Sequence, residues 1–282
     1  FADNDATVGG VELGAAGVEV DLATFVATTN HNVVAYLGPP TGEEPAGDPA
    51  PEAAFHLDVE NGALLLSAAS DNRAEVLQFS LSAAAVSVDV SDPVANAGGA
   101  TLAHLGGNFI ITADSVTAKA DSTNTATTAG LAFDIAAIGI SVEEKSARTT
   151  HATEASVGPR ANLSIAGVPL YLDADSTNTA TIAQVTPIDI SAIGVSVIQS
   201  TADAGGSTTA YVDEGAHIAA GLLDARADSD NNATVAKINL VLSAVDIEVS
   251  SPTARTTHVT EAFVGPAVGV VAVFEKGRVS GG

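Results

Sequence analysis

The chain has 282 residues, and its 10 Lys and Arg against 34 Asp and Glu give a formal charge of −24. That excess argues against a nucleic-acid backbone or an anionic membrane as partner, since both bind basic surfaces. With 16% charged and 46% hydrophobic residues, the composition is also unlike that of a disordered acidic tail.

Cysteine is absent, which excludes disulfides and thiolate metal sites. Trp and Met are absent too, and Phe and Tyr number only 8 and 3, so any core must be built from small side chains. The longest apolar run, 267–274, is short of the roughly 20 residues that span a bilayer as a helix. The chain opens at Phe1 with neither Met nor a signal peptide, as expected of a processed product or a piece of a longer array.

From the N-terminus onward one short motif returns. It is Asn4-Asp5-Ala6, then Asp71-Asn72-Arg73-Ala74, then Asp121-Ser-Thr-Asn-Thr-Ala126, repeated unchanged at 175–180 and altered at 228–233. The asparagines Asn4, Asn72, Asn124, Asn178 and Asn231 stand 68, 52, 54 and 53 residues apart. A second anchor follows each Asn in phase, at Gly38, Gly106, Gly158, Asp213 and Gly265. Two anchors in one phase predict a single repeat array over 1–282 and not a string of separate domains.

Residues 39–54 break the pattern with five prolines and four acids. Removing these 16 residues brings the first interval to 52, so the segment reads as a Pro-rich acidic loop inserted into the first repeat.

Around each Asn the period is two. Leu170, Leu172, Ala174, Ser176, Asn178 and Ala180 share one face, while Asp175, Thr177 and Thr179 share the other. Around the second anchor Ala35, Ala103, Ala155, Ala210 and Ala262 take the inner parity. A further strand lies between the anchors, seen in 135–142 and 188–197. No segment keeps a 3.6-residue period. The expectation is an all-β parallel solenoid of five roughly 53-residue repeats with about three long strands each. Stacked copies would place the asparagines in an inward ladder of mutually bonded amides.

A longer period overlies this one: odd copies carry His31, His151 and His258 seven residues before the anchor, where even copies carry Gly99 and Gly206. No zinc-like spacing accompanies these histidines, so they read as volume set against glycine at a corner. Asp121, Asp175 and Asp228, with Asp71 and Asp3 or Asp5 taken to be in register, read as an outer acidic ladder. That ladder is a candidate for bridging calcium and otherwise a solvated acidic face. Arg148 with Glu154, and Arg255 with Glu261, read as exposed ion pairs. No nucleophile elbow, His-Glu-x-x-His, Walker loop or dinucleotide fingerprint occurs, and a non-enzymatic role is expected.

The recurring Ala-Asp-Ser-x-Asn-x-Ala, with Thr-Thr-Ala-Tyr-Val-Asp-Glu-Gly-Ala at 208–216, resembles the repeats of giant bacterial surface adhesins of the filamentous-haemagglutinin-like and leukotoxin-like types. The resemblance implies export, a β-helical stalk and an adhesive or matrix role at the cell surface. Alongside it stand end-to-end self-association of the stalk, a surface glycan or protein as receptor, and the alternative of a carbohydrate-binding or carbohydrate-cleaving β-helix.

Overall fold

A computed structural model describes residues 1–38, 54–60, 62–165, 167–185, 188–238, 242–266, 268–274 and 278–281. The inserted loop, but for its last residue, lies outside them. The described residues contain strands and turns but no helix, and so no helix long and apolar enough to cross a membrane.

Thirteen strands pair in parallel. The first coil is β1 (Ala2–Leu37); the second is β2 (Phe55–Asp58) and β3 (Ala63–Leu105); the third is β4 (Asn108–Thr112) and β5 (Ser115–Val157). The fourth is β6 (Asn162–Ser164), β7 (Pro169–Val185) and β8 (Ile188–Val212). The fifth is β9 (His217–Ile238), β10 (Val245–Thr256) and β11 (Val259–Val264). β12 (Gly269–Phe274) and β13 (Arg278–Gly281) pair with β9 and begin a sixth coil, with a one-residue shift of register between Val271 and Val273.

Each repeat makes one coil, because Asn4, Asn72, Asn124, Asn178 and Asn231 are direct register partners. The strands expected separately run into one another: β3 and β5 are 43 residues each, bending at the corners without leaving the ladder. Five coils at about 4.8 Å make a stack of roughly 24 Å.

In cross-section the coil is broad at one end and narrow at the other. Leu105, Ile111, Leu163, Leu170, Leu172 and Leu223 fill the broad end beside the second anchor. Next comes a polar layer, then a thin core of small residues such as Ala74, Ala95, Ala126, Ala147, Ala180 and Ala202. Beyond it two legs of each coil face one another and meet at a bend near residue 137.

The polar layer is the Asn ladder. Asn4 Nδ2 donates to Asn72 Oδ1 at 3.1 Å, Asn72 to Asn124 at 2.8 Å, Asn124 to Asn178 at 2.9 Å and Asn178 to Asn231 at 2.9 Å. The three central asparagines are fully buried. Each of the four from Asn72 on also donates to the serine two residues before it, Ser70, Ser122, Ser176 or Ser229. Those serines in turn lie 2.6 Å from Thr101, Thr153, Thr208 and Thr260 on the facing leg. The layer therefore binds coil to coil and leg to leg at once.

Asn124→Ala leaves the Asn72 donor and the Asn178 acceptor buried without their partner, at about 1–3 kcal/mol each. A loss of roughly 2–5 kcal/mol in denaturant unfolding is expected. Thr123→Ala, on the exposed face beside it, should cost about 0.5 kcal/mol or less.

Candidate functional site

Four groups of polar side chains could carry chemistry. The acidic column forms as expected: Asp121, Asp175 and Asp228 are successive register partners on the outer face. Asp71 does not belong to it. That residue pairs with Asp3 and Thr123, while Ala69 occupies the Asp121 column in the second coil. The reason is register: counted from the Asn, Asp71 stands one residue before it and Asp121 three.

The column lines an open trough of about 530 Å³ together with Thr123, Thr177 and Asp230. Part of its charge is met from the protein. Lys119 Nζ lies 2.8 Å from Asp121 and 4.0 Å from Asp175, and Arg226 lies 2.8 Å from Asp228. Burial, then the neighbouring acids, holds the Asp175 carboxyl above its usual range. Among the described residues no group of three His, Cys, Asp or Glu is arranged to hold a metal ion.

The histidines are more than fillers. Gly99 and Gly206 take φ of 117° and 120°, and a Cβ at either would overlap the carbonyl of His31 or His151 in the coil before. The rings of His151 and His258 reach back over these glycines into the preceding coil. His151 Nδ1 is 3.3 Å from Asn72 Nδ2, and its Nε2 is 2.8 Å from Thr101 Oγ1. His258 repeats the arrangement with Asn178 and Thr208 at 3.4 and 2.7 Å. Both hydrogens of each amide already go to the next asparagine and to the serine two residues before it. The ring therefore packs against the ladder as a third polar neighbour and bonds chiefly to the threonine. Burial lowers the pKa of both rings, against a partly opposing hydrogen bond to the backbone of Gly98 or Gly205.

A third group takes the outward parity near the broad end, yet its His104 and Ser156 are buried. His104 Nδ1 is 3.0 Å from Ser156 Oγ, Ser156 donates to Glu154 at 2.8 Å, and Tyr211 donates to the same carboxylate at 2.8 Å. The serine stands between acid and imidazole, with its proton given to the acid. A nucleophilic triad needs the imidazole in the middle.

Nor do the expected ion pairs form as Arg–Glu. Arg255 and Arg148 instead flank the buried Asp203 at 3.0 and 3.8 Å, because Arg148, Asp203 and Arg255 occupy one column. Thr257 donates to the other oxygen of that carboxylate.

The fourth group was not anticipated. Inside the narrow end the two legs carry Glu12, Glu19, Asp21, Asp89, Asp134 and Glu143 among serines and glycines. The legs approach so closely that Phe25 lies against Gly10, and Glu19 against Gly14. Ser82 donates to Glu19 at 2.8 Å, and Lys145, 1% exposed, pairs with Glu143 at 2.8 Å. Burial first, and then Asp134, Asp21, Glu19 and Glu12, push the Asp89 carboxyl up to about 7.

Comparison of the chain with protein-family models, with curated proteins and with solved structures gave no match.

These groups give stability a pH dependence of two signs. The folded Asp89 holds its proton to about pH 7, whereas an unfolded Asp releases it near 3.8. Its contribution therefore favours folding below that window and is lost as pH rises through it. His151 and His258 act oppositely: the unfolded rings take up protons below about 6.5, and the buried rings resist. Melting temperatures across pH 4–8 should show a shallower fall towards neutrality in Asp89→Asn than in the parent. His151→Gln should weaken the loss of stability on acidification below about 6.5.

Proposed function

We propose that this chain is a structural or adhesive protein of the extracellular surface, acting as an elongated β-solenoid stalk or as the subunit of a surface filament. The observation that carries this reading is the unbroken, in-register ladder, whose buried amides bond every coil to the next. Such a stack gains length without changing its cross-section, which is what a stalk requires. Asp121 and Asp228 of its acidic column are paired with Lys119 and Arg226 of the same surface, an arrangement that needs no bound partner.

Self-association end to end belongs to this reading. At one end of the stack β1 has a single partner among the described strands, and a bare ladder edge is a template for another strand. Head-to-tail stacking would set the Asn231 donor over the Asn4 acceptor and continue the ladder, with β13, which already pairs with Arg226–Ser229, giving way to the first residues of the incoming copy. It would also bring His31 beside His258, where within the chain histidine alternates with glycine.

The alternative, carbohydrate binding or cleavage, draws its support from the acid-lined trough along Asp121, Asp175 and Asp228. Turnover or retention of a panel of acidic and neutral polysaccharides separates the two readings. The stalk reading expects neither, and cleavage of any member would replace it. Light scattering over a concentration series tests the filament form, which expects growth beyond a dimer. A strict monomer would leave only the stalk.

Lys119 and Arg226 stand where a bridging cation would, so the melting temperature should be the same in calcium and in EDTA. A rise in calcium would restore the acidic column as a cation site.

A further inference from the structure

The narrow lobe is built inside out. Its interior carries carboxylates and serines, and its exterior is aliphatic. On the leg after the bend, three outward columns run through all five coils, and every one of their positions is Val, Ile or Leu. The middle column is Val20, Val88, Ile140, Val195 and Ile247; its neighbours pass through Ile138 and Val142. None of these side chains is buried, and Leu22 is 80% exposed. With residues of one face about 6.7 Å apart and coils about 4.8 Å apart, the grid covers roughly 500 Å². The opposite leg adds an aliphatic face through Leu13, Leu81 and Ile135. The grid alone stands toward the upper end of the roughly 300–600 Å² that the largest apolar patch on an ordinary monomer covers, a size that is often functional.

We propose that the grid on the leg after the bend is where a second copy of this chain docks side by side, grid against grid. A standard interface takes about 800 Å² from each partner, with an apolar centre and a polar rim. The grid supplies the centre, and the adjacent outward column through Asp92, Glu144 and Gln199 supplies the rim. Periodicity selects the partner. Rows of β-branched side chains repeating about every 4.8 Å seat into rows of the same repeat, as two sheets of a sandwich pack about 10 Å apart.

Lipid fits poorly. Glu143, one residue from Val142, points into the lobe, and the ladder edges at either end of the stack would lie open in hydrocarbon. The rim and the net charge of −24 repel a like copy. Pairing should therefore strengthen as salt rises, whereas docking of a basic partner would weaken.

This pairing uses a different surface from end-to-end stacking and does not depend on it. The test is sedimentation velocity over a concentration series at low and high salt. The parent chain is compared with Ile140→Lys/Val195→Lys and with Thr123→Lys on the acidic face, and circular dichroism checks the fold of each. We expect a salt-strengthened dimer, weakened at least about 10-fold by the paired lysines in the grid and kept by the other variant. A dimer of unchanged strength in the double variant overturns the proposal and leaves axial stacking standing. A chain monomeric at every salt and concentration overturns both. Flotation with phosphatidylcholine vesicles that the double variant abolishes would also overturn it, assigning the grid to lipid.

Discussion

Every residue of this fold is constrained by the residue one coil away. Parallel coils in exact register put like positions about 4.8 Å apart, so a side chain that cannot tolerate its own copy as neighbour cannot be kept in the interior. Asparagine satisfies the condition better than most, because its amide donates on one side and accepts on the other. The ladder from Asn4 to Asn231 uses both ends of each buried amide. Histidine does not repeat in this way, and the chain uses it in every second coil, over a glycine whose backbone no other residue could readily adopt.

The same constraint accounts for the change in composition across the coil. At the broad end the strands stand far enough apart for leucine and isoleucine; past the Asn layer alanine predominates, with Val76 and Ile182 among it; nearer the bend the legs almost touch. Ile198 is the buried exception there; the other aliphatic side chains of the lobe lie outside, and the interior holds mostly serines, glycines and a few acids. The cost of enclosing those acids is visible in the raised pKa of Asp89 and is relieved at Glu143 by Lys145. The chain combines a net charge of −24 with a positive mean hydropathy of +0.30, and part of its aliphatic content lies on that outer surface.

Much of this architecture was legible in the sequence because the anchors are short, polar and repeated. Asn124 and Asn178, set in identical hexapeptides, fixed the phase, and counting by two from them placed Ala126 and Ala180 inside. The same counting, carried ten residues past Asn124 or back from His151, puts Asp134, Ser141 and Glu143 inside and Ile135, Ile138 and Ile140 outside. The signal for the inverted lobe was therefore present. An alternating Ile and Val strand ordinarily turns its aliphatic side inward, and here the parity counted from the anchors overrides that rule. The bonds of His151 to Asn72 and Thr101 were less accessible, since they join residues 79 and 50 positions apart across two coils. The place of Asp71 was misjudged because its position relative to Asn72 differs by two residues from that of Asp121 relative to Asn124.

The central claim is that one repeat makes one coil, with identical positions in direct contact. The native chain lacks cysteine, so introduced pairs report distance without interference. Thr125 and Thr179 are register partners on the outer face, while Thr125 and Asn232 stand two coils apart. Thr125→Cys/Thr179→Cys should form a disulfide readily, with Cα atoms about 4.8 Å apart. Thr125→Cys/Asn232→Cys, about 9.6 Å apart, should not. Failure of the first pair to close in the folded protein would mean that the copies are not stacked in register.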